Sequence, residues 1–138
     1  MIIDKFTLLS KFIEYNNEYF SGMLPIPKFN VMHGCRTLGY FSYQFDEYNN
    51  ANEMIQMTDF YDYTESQFRN VMVHEMIHYY LYYTGEDTRV RHGKAFNREA
   101  KRFNKAYGLN ISKYVDISHM KPRKGAPFLS RLWFKIIN

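Results

Sequence analysis

Thr64-Glu65-Ser66-Gln67-Phe68-Arg69-Asn70-Val71-Met72-Val73-His74-Glu75-Met76-Ile77-His78-Tyr79-Tyr80-Leu81-Tyr82-Tyr83-Thr84 is the stretch that decides the fold. Thr64, with Gln67 three residues on, carries a capping-box signature, and Gly85 supplies a C-terminal stop. The segment therefore reads as one unbroken helix. Phe68, Val71, Met72, Val73, Met76, Ile77, Tyr80 and Leu81 spread apolar character around most of its circumference, the pattern of a buried central helix. His74, Glu75 and His78 interrupt that apolar surface. Residues four apart lie only about 40° apart around the axis, so both imidazoles point the same way and can share one ion. Glu75, about 100° round from His74, stands beside such an ion, placed to take a proton from water. Burying these three groups without partners costs several kcal/mol, a cost that a bound metal offsets.

A zinc hydrolase needs a third protein ligand and one open position. The H-E-x-x-H-x-x-G-x-x-H extension is absent, because positions 81 and 84 hold Leu81 and Thr84. Two candidates remain. His92 follows thirteen intervening residues after His78, within Arg91-His92-Gly93-Lys94 at the mouth of a third helix. Glu99 lies 21 positions after His78, flanked by Arg98 and by Lys101-Arg102. A loop imidazole at a helix start can swing to the ion, whereas Glu99 suits a solvated helix with basic partners, so His92 is favoured. His33 and His119 lack ligand spacing and read as structural.

Working outward, Ile2, Ile3, Phe6, Leu9, Phe12, Ile13, Tyr19 and Phe20 recur at three- and four-residue steps, predicting an amphipathic N-terminal helix ended by Ser21-Gly22 and Pro25/Pro27. Phe29–His33, Leu38–Gln44 and Glu53–Thr58 have strand character. The separators, Gly34-Cys35-Arg36-Thr37 and the Asn-rich 46–52, are short enough to predict antiparallel neighbours. Beyond the metal helix, Lys94–Tyr107 forms a partner helix with Phe96, Ala100, Phe103 and Tyr107 inward and Gly108 at its end. Residues 108–138 hold a basic loop, Lys121-Pro122-Arg123-Lys124-Gly125, and an apolar closing segment, Leu129–Ile137. The expected fold is α+β: an N-terminal helix, a small three-stranded antiparallel sheet, and the buried helix with its partner.

The chain has 138 residues, which predicts a single domain, and 26 of them are Tyr, Phe or Trp, enough to fill its core. Cys35 is the one cysteine, which excludes an internal disulfide framework or a cysteine-based zinc ribbon. No apolar run is long enough to span a membrane, and Asp4, Lys5, Lys11 and Glu14 break up the N-terminus, so neither a membrane partner nor a secretory signal is expected. The expected location is the cytoplasm. Charge is unevenly shared: residues 1–88 balance to −7 and residues 89–138 to +11. Lys94, Arg98, Lys101, Arg102 and Lys105 fall on one face of the third helix, and Arg89, Arg91, Lys121, Arg123 and Lys124 can extend the patch. Such a face suits sequence-independent contact with DNA phosphates, or it balances the acidic half.

Val73-His74-Glu75-Met76-Ile77-His78-Tyr79-Tyr80-Leu81 and Arg91-His92-Gly93-Lys94-Ala95-Phe96 together resemble the SprT-like zinc metalloprotease domain, a family related to the DNA–protein crosslink protease Spartan. Tyr15-Asn16-Asn17-Glu18-Tyr19-Phe20-Ser21-Gly22-Met23-Leu24-Pro25 is similar to the family's first helix and its exit. Arg36-Thr37-Leu38-Gly39-Tyr40-Phe41 is similar to its strand entry. The resemblance is strongest over residues 10–107. It implies a minimal zincin-like fold, one Zn2+ held by His74, His78 and His92, Glu75 as general base, and a protein substrate. With Cys35 alone, the chain lacks the family's C-terminal cysteine zinc-binding sub-domain. The alternative is a nucleic-acid-binding module whose metal site is structural or vestigial. A structural zinc takes four protein ligands, however, and this sequence offers three well-placed histidines.

Overall fold

Asp4 Oδ1 accepts the Thr7 N–H at 2.7 Å and so opens the first helix, α1 (Lys5–Tyr19). Its buried stripe is Leu8, Phe12, Tyr15 and Tyr19, with Asn16 beside it. The stripe expected from sequence is rotated relative to this one: Ile2 and Phe6 are 79% and 77% exposed. Ile2 precedes the cap, and Phe6 and Ile13 fall on a different face from the residues that meet the core. Asn16 then clasps the chain beyond the helix, donating from Nδ2 to Leu24 O (2.8 Å) and accepting Leu24 N–H (3.1 Å).

The computed structural model describes residues 1–86, 91–113, 117–126, 131–132 and 135. After α1 come β1 (Lys28–Met32), β2 (Gly39–Phe45), β3 (Ala51–Thr58), α2 (Glu65–Tyr83) and α3 (Lys94–Tyr107). The architecture is α+β, three helices with a three-stranded sheet. Arg89 and six of the nine residues of the expected closing segment Leu129–Ile137 lie outside the described residues. Among the described residues no helix is long and apolar enough to cross a membrane.

The sheet departs from the expected antiparallel arrangement. Its order is β1-β3-β2, with β1 parallel to β3 and β2 antiparallel to β3. The β2–β3 hairpin forms as expected, tied by Asp46 Oδ1 accepting from Tyr48 N–H and Asn50 N–H at 2.9 and 2.8 Å. Residues 33–38 do not turn back along β1. Two inter-strand spacings amount to about 10 Å, well within the reach of six residues. The segment therefore passes over the end of β3 and leaves β3 in the middle. Thr58 and Asp59 hold it there, donating through their backbone N–H to Leu38 O (2.9 Å) and Met32 O (2.8 Å). The Thr58 hydroxyl donates to Gly34 O and the Tyr61 hydroxyl to Cys35 O. Cys35 and Leu38 turn inward and anchor the segment to the core, while His33, Gly34, Arg36 and Thr37 stay exposed.

One sheet face carries Phe29, Val31, Ile55, Met57, Gly39 and Phe41 in register. Against it pack α1 and α2, with Phe12 edge-on to Phe29 (5.6 Å between centroids) and Phe41 stacked on Tyr79 (5.1 Å). The capping box of α2 is complete: Thr64 Oγ1 accepts Gln67 N–H and Gln67 Oε1 accepts Thr64 N–H. The helix buries Phe68, Val71–Tyr79 and Leu81, so it runs through the interior as its composition demands. Helix α3 ends at Gly108 with φ +67°, a left-handed cap that glycine adopts without strain. Its Phe103 meets Phe20 at 5.2 Å, and half-exposed Tyr107 lies edge-on to Tyr19 at 4.8 Å.

Candidate metal centre

Three imidazoles meet at one point. His74 and His78 descend from consecutive turns of α2, and His92 arrives from the loop before α3. Their Nε2 atoms form a near-equilateral triangle, with 3.3 Å between His74 and His78 and 3.2 Å from each to His92. Tetrahedral nitrogen ligands at about 2.0–2.1 Å from a metal lie roughly 3.3–3.4 Å from each other, so the triangle fits one such ion. Phe96, one turn into α3 and 1% exposed, backs the set; its centroid lies 4.8, 4.7 and 4.9 Å from those of His74, His78 and His92.

Electrostatics favour the ligand form of each ring. Burial depresses His74 to about 4, helped by the cationic form of His92 and by Arg91, and opposed by the Ser112 backbone. Although Ser112 acts on it, His74 Nδ1 makes no hydrogen bond of good geometry. Burial depresses His78 further, to about 3, and lowers His92 as well, with Arg91 and Lys113 adding to the effect at His92. All three rings are therefore neutral near pH 7, as metal coordination requires. Ser112 is brought to the site by Asn104, whose side chain bonds both Ile111 N–H (2.7 Å) and Ile111 O (2.8 Å).

Glu75 is 5% exposed and lies against β2. Burial raises its carboxyl to about 8, while Arg91 and a hydrogen bond from the Phe41 backbone N–H pull the other way. Gly39 packs closely there: a Cβ would sit 3.0 Å from Glu75 Cγ and Oε2 and 3.1 Å from Val71 Cγ1, so these side chains would have to give by a few tenths of an ångström. Arg91 Nη2 donates to Phe41 O at 3.0 Å, and its guanidinium lies 4.8 Å from the Tyr40 ring centroid.

The two candidates for the third position lie in different surroundings. His92 joins His74 and His78 in a group whose ligand atoms all lie within 4.8 Å of one another. Glu99 has the basic partners expected of it, Arg102 Nε at 2.6 Å and Arg98 Nη2 at 3.3 Å from its carboxylate, but at 6% exposed it is buried and not the solvated helix residue of the sequence reading. Neither of the other two histidines enters the cluster: His33 Nδ1 meets Asp59 Oδ2 at 3.0 Å, and His119 is exposed.

The basic residues divide. Lys94, Arg98, Lys101, Arg102 and Lys105 are all exposed on α3, but Arg98 also pairs with Glu86 at 2.8 Å and Arg102 lies over Phe103. Arg123 is anchored at the end of β3, with its N–H on Phe60 O and Nε 3.8 Å from Asp59 Oδ1, and Lys124 follows it, exposed. Gly39, Phe41 and Arg91 fall in stretches that carry the resemblance but had no role at the metal centre assigned to them, and Ser112 falls in none; their contributions come through the fold. Phe96 was more accessible to sequence reasoning, since it lies on the apolar stripe of α3, in the first turn after the His92 loop.

A family model of the SprT-like family matches residues 8–115. No curated protein matches the chain.

Proposed function

The chain belongs to the SprT-like family, and from that premise we propose that it is a zinc-dependent metallopeptidase of minimal zincin-like form, hydrolysing peptide bonds of protein substrates. The observation that carries this reading is the convergence of three imidazoles, each with its proton affinity lowered by burial, beside the buried carboxyl group of Glu75, which stands outside the cluster. His74, His78 and His92 would hold the ion, a three-ligand set of the kind catalytic zinc sites use. Zinc bound there supplies Lewis acidity, bringing a water's pKa down to about 7 and polarising a carbonyl. Glu75 is the base. Phe41 N–H orients its carboxylate, and the walls of α2 and β2 exclude bulk water from it. The proton it takes from water is then available for the leaving amine.

Metal analysis and peptidase assays on four proteins test the reading. The wild type is expected to carry one zinc per chain. His92→Ala loses most of it, Glu99→Ala keeps it, and Glu75→Gln keeps both fold and zinc but drops at least about 10²-fold in turnover. A Glu75→Gln protein within a few-fold of wild type, or loss of metal from Glu99→Ala and not from His92→Ala, would exclude this mechanism.

Nucleic-acid contact through α3 is a second reading, favoured by Lys94, Lys101 and Lys105. These are exposed and, among the described residues, have no ion-pair partner. On this reading the peptidase acts on DNA-associated proteins.

A further inference from the structure

His92 is held differently from the other two ligands. The hydrogen-bonded backbone of α2 fixes His74 and His78, whereas His92 stands in a loop ahead of α3, whose N-cap Gly93 makes no side-chain capping bond. Local support consists of the Phe96 ring and an Asn97 Nδ2 bond to His92 O stretched to 3.5 Å. The tie from outside the loop is its neighbour Arg91, which reaches fifty residues back to β2. One guanidinium nitrogen donates to Phe41 O at 3.0 Å while the plane lies against Tyr40. The same Phe41 donates its N–H to Glu75, and Gly39 packs on that side chain. Residues 39–41 thus support the base and anchor the third ligand together.

We infer that Arg91 is a positioning residue for the metal: it pins the His92 loop to β2 and so completes the three-imidazole set. The inference rests on the zinc reading above. Arginine suits the task because one planar fork can hydrogen-bond a carbonyl and lie on a ring at once; lysine keeps the charge and one bond but loses the stack. Groups that orient metal ligands from behind typically contribute about 10–100-fold in metal affinity.

The test compares wild type, Arg91→Met, Arg91→Lys, His92→Ala and the Arg91→Met/His92→Ala double variant. Zn2+ affinity is measured against a chromogenic chelator, and the visible spectrum is recorded with Co2+ alone. Arg91→Met is expected to bind Zn2+ about 10–100-fold more weakly and to change the Co2+ ligand-field bands, with Arg91→Lys recovering part of the loss. In the His92→Ala background, Arg91→Met should cost nothing further, because its effect passes through His92. Wild-type affinity and spectrum in Arg91→Met, or an equal loss in the His92→Ala background, overturns the inference. Should Arg91→Met fail to fold, Tyr40→Leu removes only the stack at an exposed position and is expected to weaken Zn2+ several-fold; unchanged binding in both Tyr40→Leu and Arg91→Lys overturns the inference equally. A wild-type chain that takes up neither ion defeats the zinc reading itself, whereas a metal-loaded wild type with indifferent variants defeats the role of Arg91 alone.

Discussion

Glu75 and the helix histidines share one buried environment, and burial pushes their proton affinities in opposite directions. His74 and His78 fall to about 4 and 3 from an unfolded value of about 6.5. Between those limits the unfolded chain binds protons that the native chain does not, so stability is lost as pH falls from about 6.5. Glu75 rises to about 8, against about 4.5 unfolded. Between those values the native chain holds the extra proton, and stability is lost as pH rises, with the full cost present above about 8. For the metal-free protein the contribution of these three groups is therefore best near pH 6.5. Glu75→Gln is expected to remove the alkaline arm, so that with chelator present its stability advantage over wild type grows from pH 5 to pH 8. Urea unfolding midpoints across that range check the point; a difference that stays flat with pH would mean that Glu75 is solvated. The chemistry of these side chains was legible from H-E-x-x-H and its four-residue spacing. The groups that tune them were not: Arg91 and Ser112 act on the site from separate loops, a relation that only the folded chain creates.

Among the elements, strand order is where sequence reasoning was weakest, with β1 parallel to a central β3, and β2 is where the site depends most on fold. The helices were legible because caps and 3.6-residue periodicity are local, and Thr64/Gln67 and Gly108 perform as their residue types predict. Sheet order is not local. The short link at 33–38 suits a hairpin as well as a crossing, and burial of Cys35 and Leu38 over the end of β3 decides between them. Its consequence is that β2 becomes an edge strand lying along α2, with Phe41 paired in register to Ile55 and its outer N–H and C=O turned to Glu75 and Arg91. Gly39 is favoured by this contact and not by its backbone angles. Gly39→Ala would push a methyl to 3.0 Å from the Glu75 carboxylate, and Val71 at 3.1 Å closes one way out. The Glu75 side chain would have to give by a few tenths of an ångström, against the 1 Å or so that costs about 10²-fold, so turnover is expected to fall by up to about 10-fold with zinc content unchanged. Measuring kcat alongside bound zinc tests this. Full activity in Gly39→Ala would show that Glu75 has room to move, and loss of zinc would place the damage at the ligands.

Over the whole molecule, the balance of −7 before residue 89 and +11 after it resolves into two kinds of cation. Some answer the protein's own acids: Arg98 pairs with Glu86 across the two halves, Arg98 and Arg102 enclose Glu99, and Arg123 faces Asp59. Lys94, Lys101 and Lys105 have no such duty among the described residues, and their spacing of seven and four places them along one exposed face of α3. Composition alone could not separate the groups, because paired arginines and unpaired lysines count equally toward net charge. The distinction determines the experiment. Replacing Arg98 or Arg102 strips partners from a carboxylate that is 6% exposed, so any loss of binding would be mixed with damage to α3. Lys94→Gln, Lys101→Gln and Lys105→Gln combined remove three charges at similar helix propensity and leave Glu99 paired. If this face tracks a duplex, three neutralised phosphates give a log–log slope of affinity against salt near −3, shallower for a single strand. The triple variant is expected to flatten that slope while keeping its zinc and its activity on a free peptide. Salt-independent binding, or a slope unmoved by the three glutamines, would leave the positive half balancing the negative one and remove the charge argument for a substrate held on DNA.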